Sequence, residues 1–366
     1  MLSREEQNYY NRHLLLEDIA EEGQLALKNS HVVVIGGGGL GSPVLSYLAG
    51  AGVGHLAVVD GDRVSLSNLH RQPLYGHNNV GELKTAAAIP KLKELNPYIE
   101  LKGFSENLTA GNALEIIKNY DIVVDATDNF PVRYLINDAC ITLGKPWVFA
   151  SIDRFQGQLS VLNYEDGPSY RCLFPRPPSP GTARACSQIG VLGVLAGILG
   201  SMQANEVIKM ITGRGDVLSG KLLMIDSQKN VFYNVAVKKN EKSASDVLDL
   251  KSGVADSEYY NFCSSALNGF DEISVEEIKR KIDRKEKIQF LDIRSENYND
   301  GFSDALHIPL KELDQKIDMI DVNVPVVVYC EKGVDSMTAV DKLKNSGLKN
   351  VFSLLGGMQA WKTYQS

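Results

Sequence analysis

The stretch that decides the fold is VVVIGGGGLG at residues 32–41, an apolar run followed directly by a glycine loop. Gly36, Gly38 and Gly41 fit the pattern Gly-x-Gly-x-x-Gly, in which glycines permit a tight turn and a phosphate group lies at the start of the next helix. The stretch therefore predicts a strand, a phosphate-binding turn that also includes Gly39, and a helix. The pattern alone is equally typical of an NAD-dependent oxidoreductase.

Polar residues after the next apolar run narrow this prediction. The run at residues 55–59 ends at Asp60, where a carboxylate can hold ribose hydroxyls. Asp62 follows, and then the segment SNLHRQ at residues 67–72. Asn and Arg side chains, joined by Lys84 further along, suit a triphosphate that is cleaved better than a nicotinamide that is reduced.

The spacing of the apolar runs predicts the fold class. Strand-like runs alternate with helical patterns, which is typical of a mostly parallel sheet covered by helices, an α/β Rossmann-like fold. Asp128 follows the third run, at the carboxyl end of a strand, where open α/β sheets bind ligands. The predicted strands are 31–35, 55–59, 121–124 and 147–150, and the predicted helices are 9–28, 42–52 and 82–95.

Length and local composition predict the domain organisation. A chain of 366 residues is long enough for two domains that each bury a core. We predict one domain at residues 1–240, a polar linker at 241–270 that contains Cys263, and a second domain at 271–366. The prolines within residues 168–181 predict an exposed loop without helix.

Charge and cysteine usage restrict the class of protein and its location. A net charge of −7, without a long Lys/Arg block, argues against nucleic acid as the main partner. The charged N-terminus lacks the apolar core of a signal peptide. The apolar stretch at residues 189–202 is interrupted by glycines and too short to span a membrane, which predicts a buried or interface helix. Five widely spaced cysteines without a Cys-x-x-Cys pair indicate a cytoplasmic protein rather than a disulfide framework.

Several separated motifs within about residues 5–237 together resemble the adenylating enzymes of the MoeB/ThiF/E1 family, which activate the C-terminal glycine of ubiquitin-like proteins. They include NRH at residues 11–13, the glycine loop, the segment at 67–72 and TDN at 127–129. The resemblance implies that the chain binds ATP and Mg²⁺. The nucleotide contacts that it implies are Gly36, Gly38, Gly39, Gly41, Asp60, Asp62, Ser67, Asn68, Leu69, His70, Arg71, Lys84, Thr127, Asp128 and Asn129.

The same resemblance implies roles for individual side chains. Asp60 would bind the ribose and Asp128 would coordinate Mg²⁺. Arg12 would reach across a homodimer to the γ-phosphate bound by the partner subunit. The phosphate contacts that it implies are Asn68, Arg71 and Lys84. Attack of a carboxylate on the α-phosphorus builds negative charge, and Mg²⁺ and fixed cations stabilise that charge.

Cys186 is the candidate nucleophile of this domain. It precedes a helix predicted from about Gly190, and a helix N-terminus favours a thiolate. The resemblance implies that this thiol forms the covalent link to the carrier protein. Cys172 lies in SYRC at residues 169–172, where most relatives have a Cys-x-x-Cys half of a zinc site, and the second pair is absent downstream. Since tetrahedral zinc needs four ligands, we predict no structural zinc. Cys140 is predicted to lie in the core.

Residues 271–364 resemble a rhodanese domain, a small α/β fold. The motifs are LDIR at residues 291–294, HIPL at 307–310, Cys330 after a strand, and GGMQAW at 356–361. In that fold the cysteine begins a loop whose backbone N–H groups stabilise a thiolate or persulfide anion. Asp335 stands where many rhodaneses have Arg, in a context similar to the eukaryotic fused adenylyltransferase–sulfurtransferases. This departure predicts a sulfur donor other than thiosulfate.

An adenylating domain joined to a persulfide carrier predicts an adenylyltransferase with a sulfurtransferase domain. The predicted substrate is a ubiquitin-like sulfur carrier ending in Gly-Gly, whose carboxylate becomes an acyl adenylate and then a thiocarboxylate. Cys186 would form a thioester or resolve a disulfide, and Cys330 would carry sulfur from a cysteine desulfurase or another persulfide donor. Molybdopterin, thiamin and tRNA-thiolation pathways use related machinery. Three alternatives remain: an NAD oxidoreductase, against which the segment at residues 67–72 argues, a non-catalytic docking protein for a carrier and a sulfur donor, and a ubiquitin-type activating enzyme.

Overall fold

The structure, a computed structural model, describes residues 1–175, 190–242, 247 and 272–365, with gaps at 274, 285, 297–300, 303, 323, 332 and 349. The chain forms two compact units, Met1–Tyr259 and Tyr260–Ser366. Cys186, Cys263 and most of the predicted linker lie outside the described residues.

The first unit alternates strands and helices. Its inner strands are rich in β-branched residues because they are buried on both faces of the sheet. The strands are β1 (His31–Ile35), β2 (His55–Val59), β3 (Glu100–Phe104), β4 (Ile122–Asp125), β5 (Trp147–Asp153), β6 (Gln156–Leu162), β7 (Lys221–Asp226) and β8 (Val231–Ala236). The helices are α1 (Arg4–Tyr9), α2 (Asn11–Leu14), α3 (Ala20–Asn29), α4 (Gly41–Ala51), α5 (Lys84–Leu95), α6 (Ala113–Ile117), α7 (Phe130–Leu143), α8 (Tyr170–Leu173) and α9 (Gly193–Thr212), with 3₁₀ helices at Leu66–Arg71 and His77–Asn79.

These strands form one eight-stranded sheet in the order β3-β2-β1-β4-β5-β6-β7-β8. The strands from β3 to β5 pair in parallel, and β6, β7 and β8 continue the sheet antiparallel. The strand order reverses at β1, which pairs with β2 on one side and β4 on the other, and open α/β sheets bind ligands at the carboxyl ends of strands at such a reversal. The prediction of a mostly parallel, Rossmann-like α/β sheet is confirmed.

Helix α9 is the apolar stretch that the sequence predicted as a buried or interface helix. Leu195 and Leu199 are buried in the core, where α9 packs against α4. Val194 and Ile198, one turn apart on the same helix, remain 67% and 36% exposed. None of the helices in the described part of the chain combines the length and the apolar character needed to cross a bilayer.

Two local predictions are wrong. Residues 9–28 do not form one helix, because turns separate α1, α2 and α3, and Ala20 adopts a left-handed φ of 47° at the start of α3. The short helix α8 lies within the stretch that was predicted to exclude helix. Its neighbouring prolines, Pro168 and Pro175, flank this single turn rather than interrupt it, so no backbone hydrogen bond of the turn is lost.

The second unit is a smaller α/β fold. Its strands are β9 (Glu272–Ile273), β10 (Gln289–Asp292), β11 (Leu306–His307), β12 (Val326–Tyr329) and β13 (Val351–Leu354), and its helices are α10 (Val275–Asp283), α11 (Val334–Asn345) and α12 (Gly357–Gln365), with 3₁₀ helices at Leu310–Gln315 and Ile317–Met319. The parallel sheet has the order β11-β10-β12-β13-β9. Val328 and Tyr329 of β12 belong to the apolar clusters on opposite faces of this sheet. Because β12 is the central strand, Cys330 lies in the middle of the carboxyl edge of this sheet.

Candidate functional site

The glycine loop connects β1 to α4 through a turn that other side chains would block. Gly36 has a φ of 101°, and a Cβ atom there would lie 2.6 Å from the carbonyl oxygen of Ala126, just after β4. The loop therefore passes directly over the end of the neighbouring strand, and only glycine combines this φ with this close approach. Helix α4 begins at Gly41, so its free N–H groups face the carboxyl edge of the sheet, where a phosphate is favoured.

Asp60, directly after β2, ties the glycine loop to the next segment of chain. Its Oδ2 accepts the backbone N–H of Gly37 at 2.7 Å, and its Oδ1 accepts the N–H of Asp62 at 2.8 Å. Tyr75 holds the other side of the loop, since its hydroxyl donates to the carbonyl of Gly37 at 2.8 Å. Burial raises the pKa of Tyr75, and the nearby Asp60 carboxylate raises it further, so the phenol keeps the proton that it donates.

Lys84 begins α5 and is buried between two carboxylates. Its Nζ lies 3.2 Å from Asp60 Oδ2 and 2.8 Å from Asp62 Oδ2. Burial lowers the pKa of the ammonium, but the two carboxylates outweigh burial and leave the pKa above its ordinary value. The lysine therefore stays charged at neutral pH. The structure brings together Asp60, Asp62 and Lys84, and their contact with a nucleotide stays a prediction.

We expect Lys84→Met to lower the free energy of unfolding of the first unit by about 3 kcal/mol, because it leaves the buried Asp60 carboxylate without its cation. Urea unfolding in a Trp361→Phe background measures this, since Trp147 then reports on the first unit. Lys118→Met is the matched control: it removes an exposed ion pair and should cost less than about 1 kcal/mol. Equal losses of unfolding free energy in the two variants would contradict a stabilising role for the buried Lys84–Asp60 ion pair.

The segment at residues 67–71 forms a 3₁₀ helix beside the glycine loop. The Arg71 guanidinium donates to Asn68 Oδ1 at 2.7 Å and to the carbonyl of Ser67 at 3.2 Å, and it lies 3.0 Å from His70 Nε2. A Cβ atom on Gly39 would lie 3.7 Å from Arg71 Cγ. Leu69 packs against the core and anchors the segment. The helix therefore presents a cation and an amide next to the turn.

The loop after β4 holds an exposed carboxylate between two fixed neighbours. Thr127 donates its backbone N–H and its hydroxyl to Asp125 Oδ1, at 2.9 and 2.6 Å. Asn129 Oδ1 accepts the N–H of Val132 and caps α7. Asp128 between them is exposed and forms no hydrogen bond or ion pair with any described residue. Its oxygens are therefore available to an ion or ligand.

A buried ion pair underlies this loop. Arg133 of α7 places its Nε 3.3 Å from Asp125 Oδ2 and donates from Nη2 to the carbonyl of Thr127 at 3.0 Å. Complete burial raises the pKa of Asp125, and the Arg133 guanidinium and the Thr127 donors offset part of that effect. Gln203 of α9 donates to the carbonyl of Asp125 at 2.6 Å. Asp125 and Arg133 thus hold Thr127 directly, and Gln203 holds the backbone of Asp125.

Two predicted residues of the first unit are not placed at this edge. Arg12 lies on α2, where its side chain is exposed and forms no hydrogen bond or ion pair with the described residues. Cys186 lies outside the described residues. Cys140 is buried as predicted, and burial raises the pKa of its thiol. Cys172 accepts the backbone N–H of Asn240 at 3.3 Å. The described residues contain no group of three or more His, Cys, Asp or Glu side chains arranged to hold a metal ion.

In the second unit, Cys330 follows β12 and lies at the start of α11. The backbone N–H of Gly333 donates to its Sγ at 3.2 Å, and Ser336 Oγ lies 3.5 Å away. The Ser336 hydroxyl is itself held by Ser353 at 2.7 Å. A backbone donor and a helix N-terminus both favour negative charge on the sulfur. Asp335, in the first turn of α11, is exposed.

Two further contacts fix the loop that begins at Cys330. The carbonyl of Cys330 accepts the N–H of Met358 at 3.0 Å, and a Cβ atom on Gly357 would lie 2.5 Å from the same carbonyl oxygen. Arg294 pairs with the buried Asp292 at 2.7 Å and lies 3.4 Å from Glu331 Oε2. The LDIR and GGMQAW motifs therefore both support the cysteine loop.

Sequence reasoning missed three residues of the first site: Tyr75, Gln72 and Arg133. Gln72 stood in the quoted segment but carried no predicted role. Arg133 lies four residues after Asn129, which is the spacing of one helical turn and was the available signal. Nothing in the sequence indicated that Tyr75 reaches the glycine loop.

Comparison with known proteins identifies two family domains in the chain. The sequence matches the ThiF family over residues 10–246 and the rhodanese-like domain over residues 274–364. Proteins named adenylyltransferase and sulfurtransferase MOCS3 are similar along nearly the whole chain. The protein from Culex quinquefasciatus is 40% identical over 377 residues, 96% of this chain and 86% of the relative. The protein from Bos taurus is 38% identical over 392 residues, 98% and 86% of the two chains.

Solved structures show the same fold for the first unit. MccB of E. coli in a structure with ATP has a TM-score of 0.58 at 22% identity, covering 65% of this chain and 73% of that chain. PaaA has a TM-score of 0.56 at 24% identity, covering 65% and 76%. At this identity the likeness concerns the fold alone. The resemblances predicted from the motifs are confirmed by the family matches and the relatives. The chain therefore belongs to the ThiF family, as an adenylyltransferase fused to a C-terminal rhodanese-like sulfurtransferase domain.

Proposed function

We propose that the chain uses ATP to adenylate the C-terminal glycine of a ubiquitin-like sulfur carrier ending in Gly-Gly, and then transfers sulfur to give the thiocarboxylate. The observation that carries this proposal is the grouping of the glycine loop, the Asp60–Lys84 pair and the exposed Asp128 at one edge of a sheet. The same chain holds Cys330 against a backbone donor. The names of the MOCS3 relatives, adenylyltransferase and sulfurtransferase, describe both halves of this reaction.

The residues of the first site suit the adenylation step. Asp60 would hold the ribose, since its carboxylate lies at the end of β2. Arg71 and Asn68 would hold phosphate oxygens beside the glycine loop. The oxygens of Asp128, without a protein partner among the described residues, fit Mg²⁺, which prefers oxygen ligands. When bound, Mg²⁺ supplies positive charge for the transition state and for departing pyrophosphate. Lys84 adds a fixed cation that needs no reorganisation.

The sulfur step uses Cys330. A cysteine desulfurase or another persulfide donor would load it, and the terminal sulfur of the persulfide would attack the activated carbonyl, displacing AMP or the Cys186 thiol. The product is an acyl disulfide with Cys330. A second thiol, with Cys186 as the candidate, would attack the Cys330 sulfur, release the thiocarboxylate and leave a disulfide that a cellular thiol reduces. Asp335, the exposed carboxylate in the first turn of α11, is the residue that we expect to disfavour thiosulfate as the donor.

We propose a homodimer in the cytoplasm in which Arg12 of one subunit completes the partner's site. Leu15 and Leu16, next to α2, are 65% and 51% exposed, and Val194 and Ile198 form an exposed apolar strip on α9. Apolar side chains next to Arg12 suit a contact between subunits. The widely spaced cysteines support a reducing compartment.

Mixing two inactive variants tests the dimer directly. Arg12→Ala and Asp128→Ala should each lack exchange activity, whereas a refolded equal mixture should recover about a quarter of the wild-type activity, because half of the dimers then hold one intact site. Recovery requires that Arg12 acts across the interface. An Arg12→Ala variant mixed with itself is the control. A mixture that stays inactive while sedimentation shows exchanged dimers would contradict the role of Arg12 between subunits.

The first experiment is ATP–pyrophosphate exchange with a panel of carriers ending in Gly-Gly, taken from molybdopterin, thiamin and tRNA-thiolation pathways. Exchange that depends on one carrier establishes adenylation and identifies the pathway. Addition of a persulfide donor should then convert that carrier into its thiocarboxylate, whereas a conjugate on lysine would favour a ubiquitin-type activating enzyme. Tight ATP binding without exchange for any carrier would favour the docking protein.

A further inference from the structure

Gln72 carries a buried amide that nothing in the described part of the chain satisfies. The residue follows the 3₁₀ helix Leu66–Arg71 and is 4% exposed. Its Oε1 is buried without a hydrogen-bond partner, and its Nε2 donates to no described residue either. A Cβ atom on Gly38 would lie 3.5 Å from Nε2, so the amide lies against the glycine loop.

The unsatisfied amide is not the result of a loose segment. The Gln72 N–H donates to the carbonyl of Leu69 at 3.4 Å, and the Gln72 carbonyl accepts the N–H of Tyr75 at 3.1 Å. Tyr75 in turn holds Gly37 through its hydroxyl. The backbone is therefore fixed on both sides of Gln72. A buried acceptor without a donor destabilises the fold, and more than about 90% of such groups in proteins are paired.

The chemistry of the amide restricts what pairs with it. Oε1 needs a donor and Nε2 needs an acceptor. Phosphate oxygens of ATP offer acceptors only, so they satisfy Nε2 and leave Oε1 unpaired. Ribose hydroxyls already have a proposed acceptor in Asp60. Adenine offers a donor and an acceptor, but the Gln72 amide lies against Gly38 in the phosphate-binding turn. An extended terminal glycine presents its N–H and a carboxylate oxygen on the same side, which matches both ends of a primary amide.

We infer that Gln72 binds the C-terminal glycine of the carrier, with Oε1 accepting its N–H and Nε2 donating to one oxygen of its carboxylate. This inference rests on the proposed adenylation of a carrier. The attacking carboxylate is two bonds from that N–H, and it must reach the α-phosphorus beside the glycine loop. Gln72 thus fixes the tail where the reaction takes place.

The test combines one enzyme variant with one altered carrier. Gln72→Met keeps the side-chain length and removes both polar atoms. A carrier whose last peptide bond is replaced by an ester lacks only the N–H donor. In the full-length wild-type chain, the ester should raise the KM for the carrier in pyrophosphate exchange about tenfold. Gln72→Met should raise it by a similar factor with the natural carrier, while the Kd of ATP without carrier changes less than about twofold.

The decisive measurement combines the Gln72→Met variant with the ester carrier. If the Gln72 amide pairs with the N–H of the C-terminal glycine, the ester should raise the KM of Gln72→Met for the carrier by less than about twofold. Gln228→Met, on an exposed residue, should respond to the ester like the wild type. KM increases from the ester and from Gln72→Met that multiply would overturn the inference. It would also be overturned if the wild type had the same KM for the ester carrier as for the natural carrier, a measurement that needs no variant to fold. A Gln72→Met variant that loses ATP affinity but keeps its carrier KM would assign the amide to the nucleotide. Failure of every carrier to support exchange would remove the proposed function itself.

Discussion

Asp128→Asn is expected to lower carrier-dependent ATP–pyrophosphate exchange by about 10³-fold. Asp128 is the exposed carboxylate between two fixed neighbours, and it has no partner among the described residues. The substitution keeps the shape of the side chain and removes the charge that would hold Mg²⁺ beside the phosphates. Because Thr127 is held by Asp125 and Asn129 caps α7, the loop itself should keep its conformation.

A control and a second measurement separate this role from a general loss of folding. Asp121→Asn changes an exposed carboxylate just before β4, at the opposite end of the same strand, and exchange should fall less than about twofold. Thermal unfolding of Asp128→Asn should match the wild type, since no described contact is removed. Residual activity of Asp128→Asn should rise with added Mg²⁺. Exchange within a few-fold of wild type at limiting Mg²⁺ would contradict the assignment.

The parallel sheet was predictable because its signal is local. A run such as VVVI is buried on both faces, so its composition alone identifies an inner strand. The turn before α3 was not predictable in the same way. Residues 9–28 carry the mixed apolar and charged pattern of a helix, and the left-handed φ of Ala20 has no sequence signal, since alanine favours helix.

The residue types of the first site were also predictable, but their pairing was not. Asp60 and Lys84 were both expected to meet the nucleotide, and the structure shows that they bind each other across 24 positions of the chain. The contact between Tyr75 and Gly37 spans 38 positions, and the contact between Gln203 and Asp125 spans 78. Such contacts depend on how helices pack on the sheet. A pattern within one segment does not contain that information.

Cys330→Ser is expected to lower thiocarboxylate formation by at least about 10³-fold, or about 4 kcal/mol in activation free energy, while pyrophosphate exchange stays at the wild-type level. A serine hydroxyl keeps the size of the thiol but cannot carry a persulfide. The Gly333 N–H and the start of α11 stabilise a sulfur anion at this position, and that charge disappears with the sulfur. Mass spectrometry of the carrier measures the exchange of one oxygen for sulfur.

Cys172→Ser is the matched control, because that thiol belongs to the first unit and has no proposed role, and it should leave both steps unchanged. Full thiocarboxylate yield from Cys330→Ser would show that the donor delivers sulfur directly to the acyl adenylate, and the second unit would then act only in docking.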